Sequence, residues 1–297
     1  MSDRVVVKVF GERNTGTRTV LTMLGRLRQV SLRLPGVERV SVDGALEAAI
    51  RAEMRGSWRR LYLHALRDEA AAARAAADPW KHAMPALTPE LLRADVRSIL
   101  TVRNPYSWFV SLARRPYHLK GPKSHDLLSF LHRPWMTERR EAAPAVLSSP
   151  MLLWSLKLRA ATAYRQAAEA AGLPVADLRF EDLVADNRRA MTATLHALGI
   201  DPTGLARLER NTKRGEPGAA DLAEIYAREA WRSDLTAGVV AGINARVDWP
   251  LAAQFGYARL SPGDFPDALP APRARRLAEE MARLSTPTER GAASDVA

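Results

Sequence analysis

Two glycines bracket four residues near the start of the chain, in the segment Gly11-Glu-Arg-Asn-Thr-Gly-Thr-Arg18. Glycines at these positions let the backbone curl so that successive N–H groups point inward, and a following helix adds the positive end of its dipole. The spacing therefore predicts an anion-binding loop of the P-loop type. The alternative is a tight strand-to-helix turn that binds no ligand.

The loop lacks two groups that nucleotide triphosphatases use. Their loops continue with Gly-Lys-Ser/Thr, in which the lysine reaches the β- and γ-phosphates and the hydroxyl binds Mg²⁺. Here Gly16 is followed by Thr17 and Arg18. We therefore expect the loop to hold an anion but to be poorly equipped for hydrolysis of ATP.

A second candidate site lies in the segment SILTVRNPYSWFVS, residues 98–111. Its apolar run predicts a buried strand that ends at Arg103, and Asn104-Pro105 predicts the cap and first turn of a helix. An arginine at the carboxyl end of a strand faces the ligand crevice of an open α/β sheet, and its planar fork suits phosphate. The hydroxyl of Ser111, two turns along the helix, could donate to the same anion. The alternative is an ordinary strand–helix junction with a surface arginine.

In this order, the two motifs resemble those of sulfotransferases that use 3′-phosphoadenosine-5′-phosphosulfate (PAPS) as donor. Residues 8–17 are similar to the family's 5′-phosphosulfate loop, but its lysine falls on Asn14 here. Arg13 or Arg18 would supply the missing charge, and we favour Arg13. The family's Arg-Asn-Pro and serine, which bind the 3′-phosphate, match Arg103 and Ser111. The resemblance implies that the loop binds the 5′-phosphosulfate of PAPS, or the 5′-phosphate of the product PAP. The residues it assigns to this task are Arg13, Asn14, Thr15, Gly16, Thr17 and Arg18.

Three later segments are similar to the same family. Phe180, within Leu178-Arg-Phe-Glu-Asp-Leu183, takes a position that lies by the adenine in sulfotransferases; the alternative is a residue of a core strand. Lys213-Arg214-Gly215 resembles the segment that closes over the 3′-phosphate, with a solvated charge cluster as the alternative. The stretch from Trp231 to Phe255-Gly256-Tyr257 resembles the family's C-terminal helices and bears on the fold only.

Sulfuryl transfer needs a base for the acceptor's proton and positive charge for the leaving phosphate. His82 lies between the two main motifs, where sulfotransferases place a histidine or glutamate base, and some bacterial members carry a similar Trp-Lys-His. The resemblance implies His82 as base and Lys81, with Arg13, as charge stabilisers. His118 is the second candidate base. The alternative for His82 is a surface histidine.

The elements that position these residues follow an α/β pattern. Strand, Gly-bounded turn and helix recur, beginning with the β-branched run Val5–Phe10. We expect a three-layer P-loop-like fold, with a central parallel β-sheet flanked by helices and a helix-rich C-terminal half. We expect one domain over residues 1–260, with residues 117–150 as an irregular lid or substrate-binding excursion. A helix around Arg273–Leu284 and a disordered tail would complete residues 261–297.

The composition limits the other possibilities. The chain has 297 residues and no cysteine, which excludes disulfides and thiolate chemistry, and fits a reducing compartment. The net charge of +11 favours an anionic partner, although the arginine-rich composition that a GC-rich genome produces would also explain much of it. We find no signal peptide, no membrane span and no nucleic-acid-binding module, and expect a cytoplasmic protein that needs no metal.

The sequence therefore predicts a sulfotransferase that moves a sulfonyl group from PAPS to a hydroxyl or amine. The acceptor is not identified by any motif. Tyr117, Trp135 and nearby arginines favour a sugar or an acidic glycan by residue type, with another small molecule as the alternative. A P-loop kinase or NTPase, and a polyanion-binding protein without enzymatic activity, are the competing functions.

Overall fold

A four-stranded parallel sheet in the order β2-β1-β3-β6 lies at the centre of the computed structural model, which describes residues 4–34, 41–117, 124–209 and 218–284. A two-stranded antiparallel hairpin, β4–β5, lies outside it. The strands are Val5–Gly11 (β1), Val30–Leu32 (β2), Arg97–Val102 (β3), Trp135–Met136 (β4), Val146–Leu147 (β5) and Val175–Arg179 (β6).

Thirteen α-helices lie in the described part of the chain. They are Thr17–Leu24 (α1), Gly44–Glu53 (α2), Gly56–Ala75 (α3), Pro89–Arg93 (α4), Pro105–Arg114 (α5), Leu127–His132 (α6), Pro150–Ala170 (α7), Phe180–Ala185 (α8), Asn187–Ala197 (α9), Ala219–Ala227 (α10), Ala237–Arg246 (α11), Trp249–Ala253 (α12) and Ala271–Leu284 (α13). Short 3₁₀ turns cover Arg139–Glu141, Ala230–Asp234 and Pro262–Asp264.

The sheet is buried on both faces, which explains the continuous apolar runs of its strands. On one face, side chains of β1 such as Val7 and Val9 pack with helices α1 and α9. On the other face, Phe10 and Leu100 pack with α4 and α7. This arrangement confirms the predicted α/β class, with a central parallel sheet between layers of helices.

A larger apolar cluster fills the C-terminal half. It surrounds α5, whose Trp108 and Phe109 are fully buried, and includes Leu277 and Met281 of α13. Helix α13 therefore shares its core with the rest of the domain. The predicted disorder of residues 285–297 lies outside the described residues, and the boundary at residue 260 stays a prediction.

The register of β1 and β3 brings the two main motifs to one edge of the sheet. Gly11 pairs with Thr101, so that both strands end beside each other and the residues after them become neighbours. Asn104 caps α5 by accepting hydrogen bonds from the N–H groups of Tyr106 and Ser107, and Pro105 occupies the first turn. The cap inferred from the sequence is therefore present.

Two parts of the fold differ from the sequence prediction. Strand β2, of which only three residues pair with β1, is not among the predicted elements, although residues 30–34 alternate apolar and polar side chains. Residues 117–150, predicted to be irregular, contain α6, the β4–β5 hairpin and a 3₁₀ turn. These elements are too short to leave a periodic pattern. Among the described residues, no helix has both the length and the apolar character needed to cross a membrane.

Candidate functional site

The loop between β1 and α1 has the backbone of an anion-binding turn. Asn14 and Gly16 both have positive φ, at 66° and 87°. A left-handed residue next to a right-handed one turns successive N–H groups into the same concavity, which makes a nest for anions. Gly16 is the N-cap of α1 and offers no side-chain cap, so the helix N-terminus opens toward the loop.

Gly11 is required by close packing at the start of the loop. A Cβ atom at this position would lie 1.7 Å from Thr101 Oγ1 and 2.8 Å from Thr15 Oγ1. The Thr15 hydroxyl donates to the main-chain oxygen of Glu12 and lies 2.7 Å from the Thr101 hydroxyl. The side chain of Thr15 therefore connects the loop to the end of β3.

Arg103 is buried at the end of β3 and contacts the loop directly. Its Nη1 donates to the main-chain oxygen of Asn14 over 2.7 Å, and its Nε donates to the hydroxyl of Ser107 over 3.0 Å. A further bond runs from Nη2 to the hydroxyl of Tyr226 on α10. At 4 % exposure, Arg103 is not the surface arginine of the alternative interpretation.

The ring of Phe180 lies next to both Arg103 and Gly16 of the loop. The guanidinium Cζ of Arg103 lies 4.5 Å from the centroid of its ring, and a Cβ atom on Gly16 would lie 3.2 Å from its Cδ2. Phe180 is the first residue of α8 and is half-buried, so it lies at the sheet edge and not inside a core strand. An aromatic face is therefore present beside the loop between β1 and α1.

Glu181 connects three of the segments that the sequence analysis singled out. Its carboxylate accepts a hydrogen bond from the N–H of Asn104 over 2.9 Å and another from the hydroxyl of Tyr257 over 3.0 Å. Burial and the nearby Glu181 charge hold the pKa of Tyr257 well above its usual range, so the phenol remains a donor. The Arg-Asn-Pro, Phe-Glu-Asp and Phe-Gly-Tyr segments thus meet at one carboxylate.

His82 is buried against the loop, which excludes the surface histidine of the alternative interpretation. Its Nδ1 lies 2.6 Å from the main-chain oxygen of Gly11, and it is 8 % exposed. A carbonyl oxygen only accepts, so Nδ1 carries the proton and Nε2 is the basic nitrogen. Burial, followed by the charges of Arg13 and Lys81, holds the pKa of His82 well below its usual value. The imidazole is therefore neutral at physiological pH.

Lys81 precedes His82, and its main-chain oxygen accepts a hydrogen bond from the N–H of Gly11 over 2.9 Å. Gly11 is thus bonded through its N–H to the main chain of Lys81 and through its main-chain oxygen to the imidazole of His82. The imidazole of the predicted base and the main chain of Lys81 both lie at the edge of the loop.

Arg13 lies between two aromatic rings. Its Cζ is 4.6 Å from the centroid of Trp80 and 4.2 Å from the centroid of Tyr117. Its Nη1 donates to Glu141 over 2.6 Å. Arg140 stacks on the Trp80 ring as well, at 4.2 Å. A stack of cations and aromatic rings therefore covers the loop on the side of His82.

Beneath this stack, two carboxylates and two cations form a buried network. Lys157 Nζ on α7 lies 3.0 Å from Glu12 Oε2 and 3.6 Å from Glu141 Oε2, and Tyr117 donates to Glu12 over 2.7 Å. Burial would raise the pKa of Glu12, but the charges of Lys157 and Arg13 keep it below its usual value. For Glu141, burial dominates and the pKa is raised.

A cavity of about 40 Å³ adjoins this network. Gly11, Glu12, Thr15 and Lys157 line its polar side, and apolar side chains such as Trp154 line the rest. Its size suits one or a few water-sized groups next to the Glu12–Lys157 pair. In the described residues, no group of three or more His, Asp or Glu side chains is arranged to hold a metal ion.

Several predicted site residues are not at the centre of this arrangement. Ser111 lies one turn beyond Ser107, which is the hydroxyl that Arg103 contacts. Thr17 and Arg18 lie in the first turn of α1. Lys213, Arg214 and Gly215, and the second candidate base His118, lie outside the described residues. All of these stay predictions.

The sequence analysis did not single out several residues at the site, which include Glu12, Ser107, Glu141, Lys157, Glu181 and Tyr226. Glu141 follows the β4 strand in a segment with no motif, and Lys157 lies within a helix pattern that predicts only packing. An isolated charged residue on the buried face of α7 was the one available signal for Lys157.

Comparisons with known proteins add a distant likeness. No protein family matches this chain, and no curated protein matches it in sequence. Among solved structures, it is similar to a sulfotransferase domain from the curacin biosynthetic pathway, with 14 % identity and a TM-score of 0.36. The match covers 94 % of this chain and 98 % of that domain. A likeness this distant does not establish a function.

Proposed function

We propose that this chain is a sulfotransferase that transfers a sulfonyl group from PAPS to a hydroxyl or amine of an acceptor. The observation that carries the proposal is the convergence of three separate motifs at one sheet edge. Arg103 bonds to the main chain of the phosphate loop and lies over the ring of Phe180. A phosphate loop, a buried arginine and an aromatic face side by side suit an adenine nucleotide with two phosphate positions.

The residues present fit such a donor. The nest at Asn14 and Gly16 and the uncapped start of α1 would hold the 5′-phosphosulfate. Arg103, with Ser111 and residues 213–215, would hold the 3′-phosphate, and Phe180 would lie by the adenine. The indole N–H of Trp80, 5 % exposed and beside Arg13, has no hydrogen-bond partner among the described residues. An oxygen-bearing ligand would satisfy that donor.

The proposed chemistry uses groups of this chain on both sides of the transfer. When bound, the donor supplies the sulfonyl group and a phosphate leaving group. His82 Nε2 takes the proton of the acceptor hydroxyl or amine as its oxygen or nitrogen bonds to sulfur. The bond from sulfur to the bridging phosphate oxygen breaks, and Lys81 and Arg13 stabilise the negative charge that develops there. We propose that this transfer proceeds in line and without a metal.

We propose that the acceptor binds beside the stack of Trp80, Arg13 and Tyr117, where Trp135 lies edge-on to Tyr117 at 5.6 Å. Aromatic rings next to cations suit a sugar ring or an anionic glycan, which supports the glycan class as acceptor. We place the enzyme in the cytoplasm, in keeping with the absence of cysteine.

Ligand-dependent thermal unfolding tests the donor. PAP is expected to raise the melting temperature, and ATP with Mg²⁺ is not, because the loop lacks the lysine and hydroxyl of nucleotide triphosphatases. Radiolabelled PAPS, incubated with pooled carbohydrate, phenol, steroid and peptide acceptors, then identifies the product class. Stabilisation by Mg-ATP alone, or salt-dependent binding of nucleic acid without binding of PAP, would contradict the proposal.

A further inference from the structure

Lys157 brings an ammonium group from the middle of α7 to the junction of the phosphate loop and the proposed base. It is 8 % exposed and belongs to no sequence motif. Its Nζ lies 3.0 Å from Glu12 Oε2 and donates to the main-chain oxygen of His82. Helix α7 thus supplies a lysine at the edge of a loop whose own sequence lacks one.

The ammonium is held in place from several directions. Glu12 belongs to the loop, and Glu141 follows the β4 strand and reaches Lys157 Nζ at 3.6 Å. The main-chain oxygen of Glu141 also accepts a hydrogen bond from the N–H of Met84 over 2.8 Å. Lys157 is therefore contacted by the loop, by Glu141 and by the main chain of His82. The loop and Glu141 also bond to residues 82–84, through Gly11 and through the main-chain oxygen of Glu141.

Stability alone is a weak reason for this arrangement. Taking charges out of water costs several kcal/mol for each ion, so that buried ion pairs add little compared with apolar side chains of similar volume. A methionine at position 157 would match the apolar face that α7 presents beside it. It would also leave the buried carboxylates of Glu12 and Glu141 without the ammonium, so that Lys157→Met is expected to lower the melting temperature. The charges of Lys157, Glu12 and Glu141 instead lie beside the loop and His82, which favours a role at the site over a role in stability.

The orientation of His82 depends on two anchors. Its imidazole donates to the main-chain oxygen of Gly11, and its main-chain oxygen accepts from Lys157. With both ends fixed, the ring keeps the tautomer that leaves Nε2 basic. Loss of either anchor would let the ring move relative to the loop.

We propose that Lys157, held by Glu12 and Glu141, is a positioning residue that fixes His82 as the base for sulfuryl transfer. The inference depends on the proposed function, since the role of His82 does. It assigns a task to a residue outside all of the motifs. The charge of Lys157 also contributes to the lowered pKa of His82, after burial, Arg13 and Lys81.

Substitution of Lys157 by methionine tests the inference. In the Lys157→Met variant, kcat is expected to fall about ten- to a hundredfold, the range that follows displacement of a reacting group by about 1 Å. The affinity for PAP is expected to stay within about twofold of wild type, because Lys157 is not among the donor-binding residues. The acid limb of the pH profile is expected to move to higher pH, because removal of a nearby cation raises the pKa of His82.

Two further variants control for folding and charge. Lys157→Arg keeps the positive charge, and its acid limb is expected to stay near the wild-type position. Arg159→Met removes a cation from the same helix at a side chain that is 62 % exposed and paired with Asp248, and wild-type kcat is expected. A folded Lys157→Met variant with unchanged kcat would overturn the inference. So would parallel losses of kcat, PAP binding and melting temperature with an unmoved acid limb.

A readout without turnover separates this inference from the proposed function. NMR titration of ¹³C-labelled histidines, with His82 assigned through His82→Gln, is expected to show a higher pKa for His82 in Lys157→Met. Unchanged His82 signals in that variant would overturn the positioning role even if the wild type transfers sulfonyl groups. A shifted His82 signal together with a wild type that transfers nothing from PAPS would overturn the proposed function, and would leave only the effect of Lys157 on the His82 imidazole, without a role in sulfuryl transfer.

Discussion

The guanidinium of Arg103 lies over the ring of Phe180, with 4.5 Å between its Cζ and the ring centroid. The two residues follow neighbouring strands, β3 and β6, which pair in parallel up to Val102 and Arg179. A cation and an aromatic face are thus set side by side by strand register.

Loss of Arg103 should remove discrimination for the 3′-phosphate. Arg103→Met is expected to weaken binding of PAP by about ten- to a hundredfold, since charge-assisted hydrogen bonds contribute about 1.5–3 kcal/mol. Binding of AMP, which has no 3′-phosphate, should change much less. Isothermal titration calorimetry with both nucleotides measures the difference.

Arg103→Lys separates charge from geometry, because it keeps the charge but not the planar fork, and an intermediate loss is expected. Arg93→Met is a matched surface control at a side chain that is 70 % exposed. Equal losses for PAP and AMP would show that Arg103 supports the loop without reading the 3′-phosphate.

The pH dependence of turnover should reflect the buried state of His82. Because its pKa is held well below the usual 6.5, the imidazole stays neutral until the pH falls below that value. The acid limb of kcat/KM is therefore expected below pH 6.5, and His82→Gln should lose turnover by at least about a hundredfold while still binding PAP. An acid limb at or above 6.5 that persists in His82→Gln would assign the base to another residue.

The first glycine of the loop should tolerate no side chain. Gly11→Ala places a Cβ against Thr101 Oγ1, and we expect a loss of about 1–3 kcal/mol in the free energy of unfolding. Gly44→Ala is the control, since nothing lies within 4 Å of a Cβ there, and it should be neutral or slightly stabilising. Urea denaturation measures both.

A double-mutant cycle identifies the contact. If Thr101 Oγ1 is the obstacle, Gly11→Ala should cost less in a Thr101→Ala background than in wild type. Strictly additive losses would mean that the main chain of β3, and not the hydroxyl, excludes the side chain.

Lys8 should make stability depend on alkaline pH. Burial lowers its pKa to about 8, against 10.5 for an exposed lysine, even though Asp78 lies 2.6 Å away. Between these values the unfolded chain binds more protons than the folded one, so this group's contribution to stability rises with pH. The stability of wild type relative to Lys8→Met should therefore increase by about 1–2 kcal/mol from pH 8 to 9.5. A flat difference over this range would contradict the assignment.

Local sequence patterns were sufficient to predict the frame of the site. The β-branched run of β1, the glycines of the loop and the Asn104-Pro105 cap each depend on neighbours in the chain, and each is present in the structure. These features follow from backbone conformation and burial, which leave a periodic or positional signal. The parallel order of the sheet is consistent with them.

The buried network could not be predicted in the same way. Arg13 and Glu141 are 128 positions apart, and their pairing depends on how residues 135–147 fold back over the loop. A charged residue in an irregular segment resembles any solvated charge until its tertiary partner is known. Ser107 illustrates the same point on a smaller scale, because helix geometry, and not motif spacing, decides which hydroxyl meets Arg103.

The wide spacing of the network's members has a consequence for synthesis of the protein. Glu12 and Arg13 leave the ribosome long before Glu141 and Lys157, and domains begin to fold from the N-terminal side as the chain emerges. Until α7 is complete, the phosphate loop carries charges whose buried partners have not been made. The loop between β1 and α1 is therefore expected to take its final packing late in synthesis, only after residues 141 and 157 have been made.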